Sequence, residues 1–492
     1  MPRRWLVLIV VTAGAFLANL DLFIVNIAFP AIQEDFPQAS LSGLSWVVSG
    51  YAIVFAALLV PAGRLADLLG RKRLFLAGLG LFLLASALCG AATGPWMLIA
   101  ARLLQAVGAA LLIPTSLALL LPEFPPSGRA AAVGLWTAGA AVAATLGPTI
   151  GGLLVELSWR WVFLVNLPLG AITAVAAVRV LRESRDPARA RIPDLLGALL
   201  LAVGVGALAL GIVKGGEWGW TSGRVVGAEA LALVALVAFG ARSARHPAPV
   251  VEAALLRVTG TRVANAGVFL FSMSFFGLLL GTVLFLTGVW HYSALEAGLA
   301  FAPGPLMVAL LSWPAGSLAG RVGPRPLALA GTLIFALGCG WWLWRVGASP
   351  AYAADLLPGI IATGIGVSLT FPVLAGAAVG GLPADRSATG SALFNMSRQI
   401  GGVIGVAILV SVLGDDPSGL HEHRVAWTFM AAGSLAAGAV ALLLPRGAAA
   451  GSRSGDLAQR PIDRGGREDV LGDHDRRSRH PGAVAELAGD DA

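Results

Sequence analysis

The chain has 492 residues, 57% of them hydrophobic and only 12% charged, with a formal net charge of +7 that comes almost entirely from arginine. Many of its apolar runs are longer than a core helix, so a polytopic all-α membrane protein is predicted and a soluble enzyme is not. Cys89 and Cys339 lie far apart inside apolar runs, which argues against a disulfide framework or redox chemistry. The positive charge is dealt out among short loops instead of one soluble face, which argues against nucleic acid.

Taken in order, the apolar runs fall at 5–29, 44–63, 74–93, 96–121, 131–155, 159–181, 195–213, 224–241, 263–289, 297–318, 326–345, 353–380, 388–413 and 425–445. Each is long enough, at about 1.5 Å per residue, for a hydrocarbon core of about 30 Å, so fourteen transmembrane helices are predicted. The first is not read as a cleaved signal peptide, because it is too long and is interrupted by Asp21 and Asn26. With the N-terminus in the cytoplasm, Arg3, Arg4, Arg64, Arg71, Lys72, Arg73 and most other cations, Arg189 and Arg191 among them, lie inside. Only Arg160, Lys214, Arg224, Arg345 and Arg424 lie outside. The positive-inside rule therefore places both termini in the cytoplasm of a multi-pass cell-membrane protein.

The chain also repeats itself. The basic stretch Gly63-Arg64-Leu65-Ala66-Asp67-Leu68-Leu69-Gly70-Arg71-Lys72-Arg73, read as a short loop between runs 2 and 3, returns in degenerate form as Gly316-Ser317-Leu318-Ala319-Gly320-Arg321-Val322-Gly323-Pro324-Arg325 between runs 10 and 11. The offset of eight runs predicts two six-helix bundles, residues 1–185 and 247–446, with two inserted helices at 186–246. Residues 447–492 are rich in Arg, Asp and Gly and nearly free of aromatics, and are read as a disordered cytoplasmic tail. Asp67 has no counterpart in the second copy, which marks it, with Gly63, Gly70, Arg71 and Arg73, as a candidate conformational switch.

An ionisable residue inside a span costs about 2.5–3.5 kcal/mol on insertion scales and is a functional candidate by default. Asp21 in the first run and Arg102 in the fourth are such residues. Counted inward from Pro30 and Pro95, their depths differ by only about 3 Å, so they can pair. Proton affinity at such a carboxyl depends on its burial and on its distance from the guanidinium, so a conformational change that alters either one couples to a proton. The alternative is a permanent ion pair that holds the two helices together.

Run 5 carries Gly139, Ala143, Gly147 and Gly151 at four-residue spacing, with Pro148 and Gly152 beside them. This is a flat face for close helix approach, with a proline expected to kink it. In run 13 Arg398 follows Asn395 with no acid at its level; it either attracts an anionic or carbonyl-bearing solute or, the favoured reading, serves structure. Asn26, Gln105, Trp136 and Phe275 complete the candidate lining of a substrate cavity, while Phe269, Phe271 and Phe276 are read chiefly as packing or lipid-facing. Trp341, Trp342 and Trp344 read as an interfacial belt, and Glu229 lies close enough to a run's end to reach headgroups. The six histidines fall in predicted loops, run ends or the tail, and His421 and His423 with Asp415 and Asp416 form at best a weak metal site, so no metal is expected.

Together these phrases resemble the fourteen-spanner drug:proton antiporter branch of the major facilitator superfamily, over roughly residues 1–446. Residues 63–73 are similar to its loop signature, 98–110 to its fourth-helix arginine signature, and Gly139 to Gly152 to the fifth-helix signature of antiporters. Leu20 to Pro30 and Trp159 to Pro168 are similar to first- and sixth-helix phrases of the branch. The resemblance implies two bundles that rock about a central site, with Asp67 docking near the start of run 13 and Arg102 assisting protonation. Phe23 stands where the first-helix signature usually has Thr, which predicts a greasier surrounding for Asp21, and run 13 lacks the acids of members that export multivalent cations.

The resulting expectation is a proton-driven secondary transporter, not an enzyme, that exports amphipathic drugs by alternating access. It would work as a monomer among membrane lipids, without a cofactor beyond the proton gradient. A phosphate-binding loop of the Gly-x-x-x-x-Gly-Lys-Ser/Thr type is absent from the sequence, which argues against ATP hydrolysis. The alternatives are a dedicated exporter of one specialised metabolite and, more remotely, a membrane-embedded enzyme.

Overall fold

A chain this apolar must pair its backbone groups within itself, and helices do so segment by segment. The computed structural model describes residues 1–185, 192–383, 386–414 and 418–445, which contain helices and no strand. The predicted tail at 447–492, Arg189, Arg191, Asp415 and Asp416 lie outside the described residues. Among the described residues fourteen helices of fifteen residues or more follow one another. They are α1 (Arg3–Asp35), α2 (Trp46–Leu69), α3 (Arg71–Gly90), α4 (Pro95–Leu120), α5 (Pro126–Leu157), α6 (Asn166–Val180) and α7 (Leu195–Trp218). The series continues with α8 (Gly223–Arg245), α9 (Thr259–Gly288), α10 (Pro303–Val322), α11 (Pro324–Arg345), α12 (Leu357–Val379), α13 (Ser387–Leu413) and α14 (Leu420–Ala441). Among the described residues thirteen helical stretches are long and apolar enough to cross a membrane, and α5 contributes the shorter apolar stretch Leu146–Leu157.

Among the described residues predicted runs 2, 6 and 10 are broken, run 2 at Ser45 just inside its start. Run 6 divides into a turn at Trp161–Leu164 and α6, and run 10 into Ala294–Phe301 and α10. Pro303, with no N–H to give, sits at the first position of α10, where its missing donor costs nothing. Helix α5, by contrast, continues through Pro148.

Helix contacts repeat with the offset of eight. In the first series α3 packs on α4 and α6, α1 on α4, α5 and α6, and α2 on α4. In the second, α11 packs on α12 and α14, α9 on α12, α13 and α14, and α10 on α12. Contacts across the two series mirror each other as well, α2 meeting α13 and α10 meeting α5. Helix α7 lies against both α2 and α13, whereas the main neighbour of α8 is α7.

The stretch 63–73 is not a loop. Helix α2 runs to Leu69, α3 starts at Arg71, and only Gly70 interrupts them, at φ 118°. Gly323 makes the same one-residue break between α10 and α11 at φ 87°. Both angles are ones that side chains with a Cβ rarely adopt, which explains why this glycine persists in the degenerate copy. The expected tryptophan belt is also corrected. Trp342 is 1% exposed and donates to the Leu356 carbonyl, and half-buried Trp341 donates to that of Asp355, so of the three only Trp344, 73% exposed and edge-on to Trp341, lies at the surface. His423 is buried against Phe285 and Trp427 instead of lying in a loop.

Candidate functional site

The two spans predicted to hold ionisable groups bring them into contact. Asp21 on α1 is 0% exposed and Arg102 on α4 is 1% exposed. Arg102 Nη1 donates to Asp21 Oδ2 at 2.5 Å and to Gln105 Oε1 at 2.6 Å, while its Nε donates to the Val47 carbonyl of α2 at 3.0 Å. The guanidinium lies 4.1 Å from the centre of the Tyr51 ring, close enough for a cation–π contact. One arginine thus ties α1, α4 and α2 together.

Asp21 is held from the other side by amides. Gln105 Nε2 donates to Asp21 Oδ1 at 2.8 Å and to Ser86 Oγ at 2.8 Å. Asn166 Nδ2 donates to Asp21 Oδ1 at 3.3 Å and to Ser86 Oγ at 3.4 Å. The carboxylate therefore accepts bonds from Arg102, Gln105 and Asn166, the kind of pairing a buried charge needs. This corrects the expected greasy surrounding: Phe23 turns to α5, and the neighbours of Asp21 are polar. Sequence reasoning missed Asn166, Ser86 and Tyr51. Asn166 carried a signal, a lone amide in the Trp159–Pro168 phrase, but the turn before α6 defeats depth counting there. Ser86 and Tyr51 carried none.

Several residues expected in a substrate cavity do other work. Gln105 belongs wholly to the Asp21 network. Asn26 returns its amide to the Leu22 and Phe23 carbonyls, and Asn395 to that of Ser391. Half-buried Trp136 donates to Ser116 Oγ at 3.1 Å. Phe275 joins Phe276 and Phe371 in edge-to-face contacts, with Phe271 and Phe335 completing the cluster. Arg398 lies 6.0 Å from the centre of the Phe371 ring, and its Nε has no hydrogen-bond partner.

The glycines of α5 stand where backbones meet. A methyl built on Gly147 would lie 3.0 Å from Phe23 Cβ, and one on Gly151 2.9 Å from Ile24 Cγ1, both on α1. One on Gly139 would collide with Thr12. Gly152 faces the second series instead, where a methyl would lie 2.7 Å from the Ala294 carbonyl oxygen, and one on Gly298 would lie 2.6 Å from the oxygen of Pro148. Glu156 Oε1 accepts from the Leu295 amide at 3.3 Å beside them.

At the arginine-rich end, Asp67 pairs with Arg71, whose Nε and Nη2 donate to Asp67 Oδ1 at 3.0 and 2.9 Å, while Arg71 Nη1 reaches the Ala118 carbonyl. Docking of Asp67 at the start of α13 is not seen among the described residues. At this end it is Arg64 that reaches across instead, donating to the Pro249 carbonyl at 2.7 Å and to Glu252 at 2.9 Å. Glu183 accepts from the Lys72 and Arg73 amides that open α3, favourable for an anion at a helix N-terminus. Gly63 would meet Pro114 Cβ at 3.4 Å, ordinary contact distance. No group of three or more metal-ligating side chains occurs among the described residues.

The chain is similar to known transporters over most of its length. It is 38% identical to the multidrug resistance protein Stp of Mycobacterium tuberculosis, over 84% of this chain and 76% of that one. It is 36% identical to the cephamycin export protein CmcT of Amycolatopsis lactamdurans, over 84% and 85% of the two chains. A crystal structure of the peptide transporter POT shares its fold with a TM-score of 0.63 at 17% identity, over 92% of this chain and 95% of that one. Residues 11–406 and 266–468 match the Major Facilitator Superfamily. The chain is a multi-pass membrane protein and belongs to the Major Facilitator Superfamily.

Proposed function

We propose that the protein is a proton-coupled exporter of amphipathic small molecules, working as a fourteen-span monomer with both termini in the cytoplasm. Relatives named for multidrug resistance and for cephamycin export support the transport direction and the substrate class. The mirrored contacts support two six-helix bundles, α1–α6 and α9–α14, that rock about the seam between them, with α7 and α8 outside that core.

The observation that carries the coupling is the buried bond between Asp21 and Arg102. A proton on Asp21 competes with Arg102 for the carboxylate. When the proton wins, the guanidinium keeps the Val47 carbonyl, Gln105 and the Tyr51 face, so its pull shifts from α1 towards α2. Helix α2 borders α13 of the other bundle, so that shift is felt at the seam. Gly147 and Gly151 let α1 slide against α5, while Gly152 and Gly298 close the end opposite the arginine-rich one.

Purified protein in liposomes tests this. With Asp21→Asn, accumulation of a fluorescent substrate driven by a pH gradient is lost while exchange down the substrate's own gradient continues. Undiminished gradient-driven accumulation in a folded Asp21→Asn protein would overturn the coupling role. A single-metabolite exporter is the second reading, favoured by relatives named for one antibiotic, such as the probable actinorhodin transporter of Streptomyces coelicolor; a transport panel in which one compound alone competes would select it.

A further inference from the structure

The seam between the two bundles holds polar groups that the coupling site leaves unused. A cavity of about 10 Å³ lies there, bounded by Leu22 of α1, Val48 and Ser49 of α2, Phe276 of α9, and Gln399 and Val403 of α13, among others. Gln399 is 1% exposed and Ser49 3%, yet neither amide atom of Gln399 nor the Ser49 hydroxyl has a hydrogen-bond partner. Gln399, Gly402, Val403 and Val406 follow one another at i, i+3, i+4 and i+7, so the amide belongs to the stripe of α13 that faces the cavity. The opposite face of α13 is committed to α9, where Gly401 and Gly405 approach the backbone of Phe269 and Met273.

Burying a primary amide and a hydroxyl unpaired is unfavourable, and native chains rarely keep such groups without a use. A volume near 10 Å³ accommodates one water at most, fewer bonds than an amide with two donors and an acceptor oxygen, plus a hydroxyl, can make. The apolar rest of the wall offers them nothing. No charged side chain lines the cavity: Asp21, next to Leu22, is turned into its own bundle by Arg102, Gln105 and Asn166.

We infer that Gln399 and Ser49 form a substrate subsite for an uncharged hydrogen-bonding group, a carbonyl, amide or hydroxyl, which bridges the bundles when the seam opens. This rests on the export reading above and adds to it that recognition is by neutral polar contact. It also places recognition and coupling back to back, since Leu22 and Val48 of the wall adjoin Asp21 and the Val47 carbonyl that holds Arg102.

The test uses the full chain in liposomes with two probes, chloramphenicol, uncharged with an amide and hydroxyls, and tetraphenylphosphonium, a cation that cannot hydrogen-bond. Gln399→Leu and Ser49→Ala are each expected to raise KM for chloramphenicol about tenfold, while KM for tetraphenylphosphonium, where it is transported, changes less than twofold. In the substrate-free protein, Gln399→Leu is expected to leave Tm unchanged or raise it, because an unpaired amide is removed. Equal effects on both probes, no effect on either, a lowered Tm, or a wild type that moves only the cation would overturn the subsite. A wild type that moves neither probe, nor any member of a wider drug panel, would defeat the export reading itself and the subsite with it.

Discussion

The two helix series share one pattern of contacts and differ in what fills them. Where α1, α3, α4 and α6 meet, the interior holds Asp21, Ser86, Arg102, Gln105 and Asn166 in one bonded set. Where α9, α11 and α12 meet, it holds Phe271, Phe275, Phe335 and Phe371 edge to face. A duplicated scaffold therefore does not require duplicated chemistry. The backbone pattern depends on small residues at close crossings, such as Gly78 against Gly108 and Gly331 against Gly366, and leaves the contents of each interior free to diverge. Charge costs much to bury and needs its partners in place: the first interior supplies them to Asp21 and Arg102, whereas Arg398 of the second lies beside the Phe371 ring with its Nε unpartnered, so there apolar packing is the counterweight.

The ionic interior is the more fragile of the two. Arg102→Met leaves Asp21 buried without its cation and is expected to cost about 3–5 kcal/mol, read as a large fall in the thermal midpoint of purified protein together with lost transport. Asp21→Asn/Arg102→Met together should recover much of that stability and none of the coupling. On the aromatic side, Phe335→Ala, at a fully buried position, is expected to cost a comparable 3–5 kcal/mol, but Phe335→Leu should restore both fold and proton coupling, since only volume is at stake there. A leucine that restored stability but not coupling would mean that the second interior is not a passive counterweight.

A smaller effect tests the inserted helices. Asp194 caps α7, accepting from the Gly197 amide and from Arg242 of α8 at 2.5 Å. Burial works against its charge, but the bond from Arg242, the Gly197 amide and nearby His246 hold its carboxyl below the usual range. Because the folded value is depressed, the stability it contributes is present above the unfolded value of about 4 and is lost as pH falls through the folded one. Asp194→Ala should cost about 1 kcal/mol at neutral pH and flatten that acid-side dependence of α7 and α8, measured by hydrogen exchange. The smallest effect belongs to Arg73, 70% exposed and 3.8 Å from Glu183. Arg73→Ala should change stability by less than about 0.5 kcal/mol, against a clear loss for Arg71→Ala, whose guanidinium holds both Asp67 and the Ala118 carbonyl.

How far the residues could be read without coordinates follows from which geometry is rigid. Helical rise is fixed, so counting from Pro30 and Pro95 brought Asp21 and Arg102 to one depth, and the offset between the two Gly-x-Leu-Ala copies anticipated the mirrored contacts. Counting fails wherever a helix is interrupted, which is why Asn166, behind the turn at Trp161–Leu164, escaped notice. Side-chain direction around a helix needs the partner as well as the period. The period alone thus points Gln105 and Asn26 at a cavity, whereas one faces Asp21 and the other its own backbone, and it puts Trp342 at the surface, whereas the ring is buried and bonded to the Leu356 carbonyl. The 63–73 stretch looked like a loop because it is polar, yet Gly70 alone makes the turn.

Helix α7 touches α2 of the first series and α13 of the second, so it straddles the line along which the proposed rocking must occur. Whenever the bundles part on that side, α7 has to follow one and glide over the other, with α8 carried along as its outrigger. The pair would therefore govern how wide that flank can gape towards the lipid, and a cross-link from α7 to both neighbours would lock the machine without touching its proton site.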